Sequence, residues 1–209
     1  LNSVLPLKSE KHQCYVFMGK HKPVVYPYPY YFEYMKMDIS CFWDSDSLLP
    51  YVNHNGRKLF FRKMNENHLL ESYKLLLMEQ NQMSAHCYIE NYAELKGKTI
   101  VDVGAAEGIF SLNAIEYAEH IYLFECEKSW IQPLKETFKM FKDKVTIVEK
   151  YVSDVTEGDY ITLDDFFCEG IPENLFIKMD IEGFERKALK GCKNIIANSN
   201  NVSGAICTY

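Results

Sequence analysis

Short apolar, β-branched runs recur through the second half of the chain, at 99–103, 121–124, 145–148, 175–179 and 203–209. Helix-like segments separate them, at 109–119, 130–141, 163–168 and 183–197. Pro133 falls near a first turn, where proline is tolerated. Strands alternating with helices predict βαβ units and a parallel sheet. The fold class expected is therefore α/β with a Rossmann-like core. Upstream, Leu69, Leu70, Tyr73, Leu76 and Leu77 repeat with the spacing of one buried helix face. A second short helix is expected over 86–95, closed by Gly97. A hairpin is expected from 49–52 and 58–62, joined through Asn53-His54-Asn55-Gly56, because Asn-Gly tolerates positive φ.

Residues 1–65 differ from the rest and are read as an N-terminal extension carrying the hairpin, with the core domain over 66–209. The stretch 24–35 is crowded with Tyr and holds two prolines. It predicts an extended segment anchored by its rings, or else an aromatic platform for an acceptor. The chain's 209 residues suffice for one well-buried domain plus an appendage. A net charge of −6 argues against a nucleic-acid phosphate backbone as main partner, so a nucleic-acid partner is not expected. No apolar run reaches 18 residues, so no membrane span is expected. The seven cysteines are scattered, with no C-x-x-C pair. They read as reduced thiols in a cytoplasmic protein, with no metal site.

Candidate chemistry begins at Val101-Asp102-Val103-Gly104-Ala105-Ala106-Glu107-Gly108, where a strand runs through a glycine loop into a helix. Gly104 permits a sharp turn and close approach to a ligand, and Gly108 lets the helix sit near that ligand and the strand. The helix start is expected to offer unpaired N–H groups. The spacing is Asp-x-Gly-x-x-x-Gly, which differs from the G-x-G-x-x-G that cradles a pyrophosphate. Carboxylates at Asp102 and Glu107 suit a cofactor bearing sulfonium and ammonium groups. Glu125 ends the next strand and is placed to accept from ribose hydroxyls. Ser153 and Asp154 follow the third strand, where Asp154 reads as an acceptor for an adenine amino group or as an ordinary turn residue. After the fourth strand, Asp180, Glu182 and Glu185 cluster at a helix start. They read as helix caps, or as a general base for a hydroxyl acceptor, with a nearby His as the other candidate. A divalent metal on these oxygens is the weaker alternative. Lys178, in a strand that should be buried, is expected to neutralise this acidic group.

These motifs together resemble the FkbM family of methyltransferases, from about residue 53 to 209. The resemblance rests on VDVGAAEG (101–108), LFE (123–125), the VSD turn (152–154), TLDDF (162–166) and IKMDIEGFERKALKG (177–191). Glu79-Gln80 with 84–88 looks like the family's E-Q…S-P-H-x-Y segment, with Ala85 where proline is usual. The resemblance implies a class I methyltransferase fold with S-adenosylmethionine as donor. It also implies O-methylation of a hydroxyl on a sugar, polysaccharide or natural product. Donor contacts are then expected from Asp102, Gly104, Ala105, Glu107, Gly108, Glu125, Ser153 and Asp154, and catalysis from Asp180, Glu182 and His86. The class I sheet has seven strands, and five are readable here, so the last two are expected to be missing. Two other readings stand beside this one: a nicotinamide-dependent oxidoreductase on the same fold class, and a non-catalytic domain that binds a partner.

Overall fold

The computed structural model describes residues 9–20, 28–198 and 201–208. Two compact units divide after Lys36. In the first, α1 spans Glu10–Lys20 and α2 spans Tyr31–Met35. Tyr28 stacks on Tyr30 at 5.0 Å, and Tyr30 meets Tyr34 edge-on at 5.8 Å. The extended reading of the tyrosine-rich stretch is thus corrected for its second half. Proline restrains the residue before it, so a helical turn can begin once Pro29 is passed. Val24, Val25, Tyr26 and Pro27 lie outside the described residues.

The second unit opens with a small antiparallel sheet of β1 (Cys41–Trp43), β2 (Pro50–His54) and β3 (Arg57–Phe60). β2 and β3 are the expected hairpin, turned at Asn55-Gly56, with Asn55 at φ 52°. Helix α3 (Glu66–Glu79) starts where the Asn65 side chain accepts from the Asn67 N–H, and it buries Leu69, Tyr73 and Met78. The helix expected over 86–95 is not there; only Tyr92–Leu95 forms a 3-10 turn. Side chains have taken the backbone's hydrogen bonds instead. The Ser84 hydroxyl accepts from the His86 N–H, Gln80 Oε1 accepts from the Tyr88 N–H, and Gln80 Nε2 donates to the His86 carbonyl.

The central sheet contains β4 (Thr99–Val103), β5 (His120–Phe124) and β6 (Val145–Val148). A two-stranded ribbon of β7 (Tyr151–Val152) and β8 (Tyr160–Ile161) follows, then β9 (Leu175–Met179) and β10 (Val202–Ile206). The order is β10-β9-β4-β5-β6, with every pair parallel. This is the Rossmann-like α/β architecture expected from the pattern. The connecting helices are α4 (Ile109–Ala114), α5 (Lys128–Thr137), α6 (Leu163–Phe166), α7 (Glu185–Lys190) and α8 (Lys193–Asn198). The single helix expected over 183–197 is two, because Asp164 interrupts it. Its two carboxylate oxygens accept from the Asn194 and Ile195 N–H groups and start α8 anew.

All five residues of β4 and of β9 are buried. Each strand carries one charged residue in an apolar run, and the parallel register sets Asp102 beside Lys178. Chain order reverses between β4 and β9, which opens a crevice at the carboxyl ends of these strands.

Candidate functional site

That crevice is a cleft of about 870 Å³. Gly104 and Ala106 of the glycine loop line it, with Glu125 after β5, Ser153 after β7, and Asp180, Ile181 and Glu182 after β9. Five of the residues singled out from sequence therefore converge: Gly104, Glu125, Ser153, Asp180 and Glu182.

The glycine loop is built differently from the expectation. Gly104 has φ 80°, and a Cβ there would lie 2.1 Å from the Asp180 carbonyl oxygen and 2.9 Å from Ile181 Cγ2. Glycine is required because the loop after β9 presses on it. A Cβ at Gly108 (φ 83°) would meet Leu134 of α5 and Phe138, just past its end, at 2.8 Å. Most of the loop's own N–H groups before the helix start are engaged within the protein. The Gly104 and Ala105 N–H groups both donate to the Phe124 carbonyl, and the Gly108 N–H donates to the Ala105 carbonyl. The Ala106 N–H donates to Glu125 Oε2 at 2.8 Å. Four of the loop's N–H donors, those of Gly104, Ala105, Ala106 and Gly108, are thus engaged internally and not offered to a pyrophosphate.

Lys178 fastens this loop from below. Its Nζ donates to the Gly104 carbonyl at 2.7 Å, pairs with Asp102 Oδ1 at 3.0 Å and lies 5.1 Å from the centre of the Tyr88 ring. Burial alone would lower the Lys178 pKa, but the charge of Asp102 outweighs it and holds the ammonium above its usual value. Asp102 Oδ2 accepts from the Ser111 hydroxyl at 2.7 Å, and the residue is 1% exposed. Asp102 thus sits beneath the cleft floor as the partner of Lys178. Glu107 is buried in the same cluster, and its carboxyl is pushed up to about 7 by burial, against the opposing pull of Lys178.

Glu125 Oε1 accepts from the N–H groups of Cys126 and Glu127 at 2.8 and 2.7 Å. Its Oε2 takes the Ala106 N–H, which leaves a lone pair toward the cleft. Asp180 Oδ2 accepts from the Tyr88 hydroxyl at 2.5 Å. Burial, then the hydrogen bond to Asp180, hold that phenol far above its usual range, so it stays a donor. The Cys207 thiol is raised to about 11 by burial and by the charge of Asp180. Glu182 is exposed and has φ 50°, a left-handed conformation uncommon outside glycine. Glu185 holds it so: Oε1 accepts from the Ile181 N–H and Oε2 from the Gly183 N–H, both at 2.9 Å.

The remaining sequence candidates stand elsewhere. His86 is exposed and does not line the cleft. Asp154 is exposed outside it, bonded to the Ser153 hydroxyl at 3.3 Å. Ala105, Glu107 and Gly108 form the loop's buried side. Sequence reasoning missed Arg62, Cys126, Glu127, Trp130, Lys150, Tyr151, Tyr160 and Phe184, which also line the cleft. Phe184 lies inside the 177–191 motif; the others belong to no motif, and only their place in or next to a strand, or on the helix after one, marks them. Among the described residues, no group of three or more His, Cys, Asp or Glu side chains could hold a metal ion. Nor is any helix long and apolar enough to cross a membrane.

No family model matches the chain. A probable histone-arginine methyltransferase of Arabidopsis thaliana is 29% identical over 94 residues, covering 40% of this chain and 18% of that protein. A crystal structure of methyltransferase FkbM from Methylobacillus flagellatus is similar with a TM-score of 0.44 and 20% identity. That similarity covers 68% of this chain and 44% of the other. The chain thus spans less than half the length of either relative. The 23S rRNA methyltransferase ErmE is similar with a TM-score of 0.39 and 14% identity, over 55% of this chain and 41% of that one. The expectation that nucleic acid is excluded is corrected: an rRNA methyltransferase is among the structures similar to this chain. In its motifs, and in the Rossmann-like sheet that carries them, the chain resembles the FkbM methyltransferases.

Proposed function

We propose that this chain is an S-adenosylmethionine-dependent methyltransferase that acts on a hydroxyl of a sugar or natural-product acceptor. The observation that carries the reading is the environment of Glu125. A buried carboxylate at the end of β5, fixed by three backbone N–H groups, keeps one lone pair toward the cleft. It is suited to accept from a ribose hydroxyl of the donor. Ser153 lines the same wall. The internally bonded glycine loop favours this donor over a nicotinamide dinucleotide, whose pyrophosphate needs free N–H groups. Bound in the cleft, the donor supplies an electrophilic methyl group on a sulfonium.

The residues after β9 provide the rest. Asp180 lays its backbone carbonyl against Gly104 and has its carboxylate held by the Tyr88 hydroxyl, an electron-rich edge of the cleft that favours a sulfonium. Glu182 is the general base: its exposed carboxylate takes the acceptor's proton as the oxygen attacks. Glu185 keeps that carboxylate in place through the two loop N–H groups. All seven cysteines are free, which supports a cytoplasmic setting.

The test is calorimetric titration of S-adenosylmethionine and S-adenosylhomocysteine, with Glu125→Ala alongside. Methyl transfer to a panel of hydroxylated sugars follows, with Glu182→Gln alongside. Binding weakened at least tenfold by Glu125→Ala, and transfer lost in Glu182→Gln with donor affinity kept, are expected. A folded wild-type protein that binds neither compound refutes the reading and favours a partner-binding domain.

A further inference from the structure

The small antiparallel sheet borders a hollow of about 390 Å³ that shares no lining residue with the cleft. The strand register builds it. Phe42 of β1 stands opposite Tyr51 of β2, which stands opposite Phe60 of β3, so the three rings share one face. The Phe42 and Tyr51 rings stack at 5.5 Å with 27° between their planes, and Tyr51 meets Phe60 at 5.3 Å. Asn53 lies two residues beyond Tyr51 on that face, and the register carries Ser40, just before β1, to the position opposite it. Asp38 precedes Ser40 by two residues. Asp38, Ser40, Phe42 and Asn53 all line the hollow, together with Tyr73 and Leu77 of α3.

The chemistry of this lining narrows the ligand. Phe42 is 46% exposed, yet its stack on Tyr51 already holds it. A ring fixed before binding offers apolar surface at little cost in side-chain order. The polar groups beside it are complementary. Asn53 Oδ1 accepts from the Gly56 N–H at 2.8 Å, which leaves the amide NH2 as a donor. The exposed side chains of Asp38 and Ser40 have no hydrogen-bond or ion-pair partner among the described residues. The hollow thus gathers a carboxylate acceptor, an amide donor and a hydroxyl that does both. A sugar ring presents the matching surface, with an apolar C–H face and an edge of hydroxyls that each donate and accept. No lysine or arginine lines the hollow, and the Asp38 carboxylate repels anions, so phosphates and nucleic acid do not fit it. Tyr73 adds only its ring, because its hydroxyl is bonded to His54 Nδ1 at 2.8 Å. A volume of 390 Å³ lies near the lower end of the roughly 300–1,000 Å³ that small-molecule sites occupy, in keeping with a small ligand.

We propose that this hollow is a binding site for a neutral sugar, whose C–H face packs on Phe42 and whose hydroxyls bond to Asp38, Ser40 and Asn53. The site is separate from the cleft and stands independently of the methyltransferase reading.

The methyl pyranosides of glucose, galactose and mannose serve as probes, with choline as the cationic control, read by ligand-detected NMR with and without S-adenosylhomocysteine. The proteins are wild type, Phe42→Ala, Phe42→Tyr and Asp38→Ala, each checked by thermal unfolding. At least one pyranoside is expected to bind wild type. Phe42→Ala should weaken that binding by about tenfold, the scale of one lost aromatic contact. Phe42→Tyr, which keeps the ring, restores it. Asp38→Ala weakens it as well, through the hydroxyls rather than the stack. S-adenosylhomocysteine does not compete with the sugar. Four results overturn the proposal: no pyranoside binds; choline binds more tightly than every pyranoside, which would make this an ammonium site; a folded Phe42→Ala keeps wild-type sugar affinity; or S-adenosylhomocysteine displaces the sugar, which would put it in the cleft. Failure of S-adenosylhomocysteine to bind while the sugar still depends on Phe42 refutes the methyltransferase reading and leaves the sugar site standing.

Discussion

Replacing Lys178 with Met isolates what holds the glycine loop in place. The substitution keeps the apolar stem in β9 and removes the ammonium, which makes three contacts in wild type: Asp102 Oδ1, the Gly104 carbonyl and the Tyr88 ring. Both members of the ion pair are almost fully buried, with side chains 6% and 1% exposed. Removing one partner of such a pair typically costs about 3–5 kcal/mol, because the other charge is left buried. The Gly104 carbonyl loses its donor as well, for about 1–3 kcal/mol. The expected loss is thus about 5 kcal/mol. At roughly 2–4 °C per kcal/mol for a domain of this size, Tm should fall by about 10–20 °C. The decisive comparison is the double variant Asp102→Asn/Lys178→Met. With the stranded charge neutralised, only the Gly104 penalty and some packing loss remain. The double variant should therefore be more stable than Lys178→Met alone, by about 2–3 kcal/mol. Thermal and urea unfolding followed by circular dichroism read both quantities. Losses that simply add in the double variant would falsify the clamp, as would a Lys178→Met that costs under about 1 kcal/mol.

Other outcomes follow from the same geometry. Gly104→Ala should lose at least about 1–2 kcal/mol from the left-handed backbone alone, and more because its Cβ meets the Asp180 carbonyl; unchanged thermal unfolding rejects that contact. Glu107 has a folded pKa of about 7, raised by burial above the ordinary 4.5 of a glutamate. A carboxyl raised in this way favours the protonated folded form, so its contribution to stability declines as pH rises from about 4.5 through 7. The shift corresponds to about 3 kcal/mol. Glu107→Gln should flatten that part of the stability profile and be the more stable protein at pH 8; a profile with the wild-type slope contradicts it. His54 is buried, with Nδ1 2.8 Å from the Tyr73 hydroxyl and Nε2 2.7 Å from Asn113 Oδ1, and burial lowers its pKa below 6.5. The unfolded chain therefore takes up the proton first, and the contribution of neutral His54 is complete above 6.5 and lost as pH falls through the folded value. Urea unfolding between pH 7.5 and 5.5 should show this loss in wild type and not in His54→Gln. Glu185→Ala should lower kcat with donor affinity kept, and Glu185→Gln, which retains one acceptor oxygen, should recover part of it; equal activity in both variants and wild type removes Glu185 from the positioning of Glu182.

The five strands of the central sheet were legible because each is an apolar run between glycine, proline or polar segments, and buried parallel strands read that way. Strand β1 and the β7–β8 ribbon were not legible. Two or three residues offer no period to detect, and their pairing partners lie seven or more residues away. The helix expected over 86–95 failed for another local reason. Gln80 and Ser84, upstream of the window, satisfy the backbone of 86–88 with side-chain bonds that no periodicity records.

The candidate site shows the same division more sharply. Asp102 and Lys178 each interrupt an apolar strand, and the sequence marks both as special without saying for what. Taken singly, an acid before a glycine loop reads as a ligand contact. Only the register that sets Asp102 beside Lys178 gives it a structural partner and explains why both charges can be buried. A buried pair placed there fixes the loop's carbonyl, and through the Tyr88 hydroxyl it also neighbours Asp180. The motif is thus a support for the cleft as much as a lining of it, and a variant at Asp102 reports on loop geometry before it reports on any ligand. Glu125 lines the cleft and also ties the loop through the Ala106 N–H, so a loss of donor binding in a Glu125 variant is separated from a loss of the loop only when thermal unfolding is read beside donor affinity.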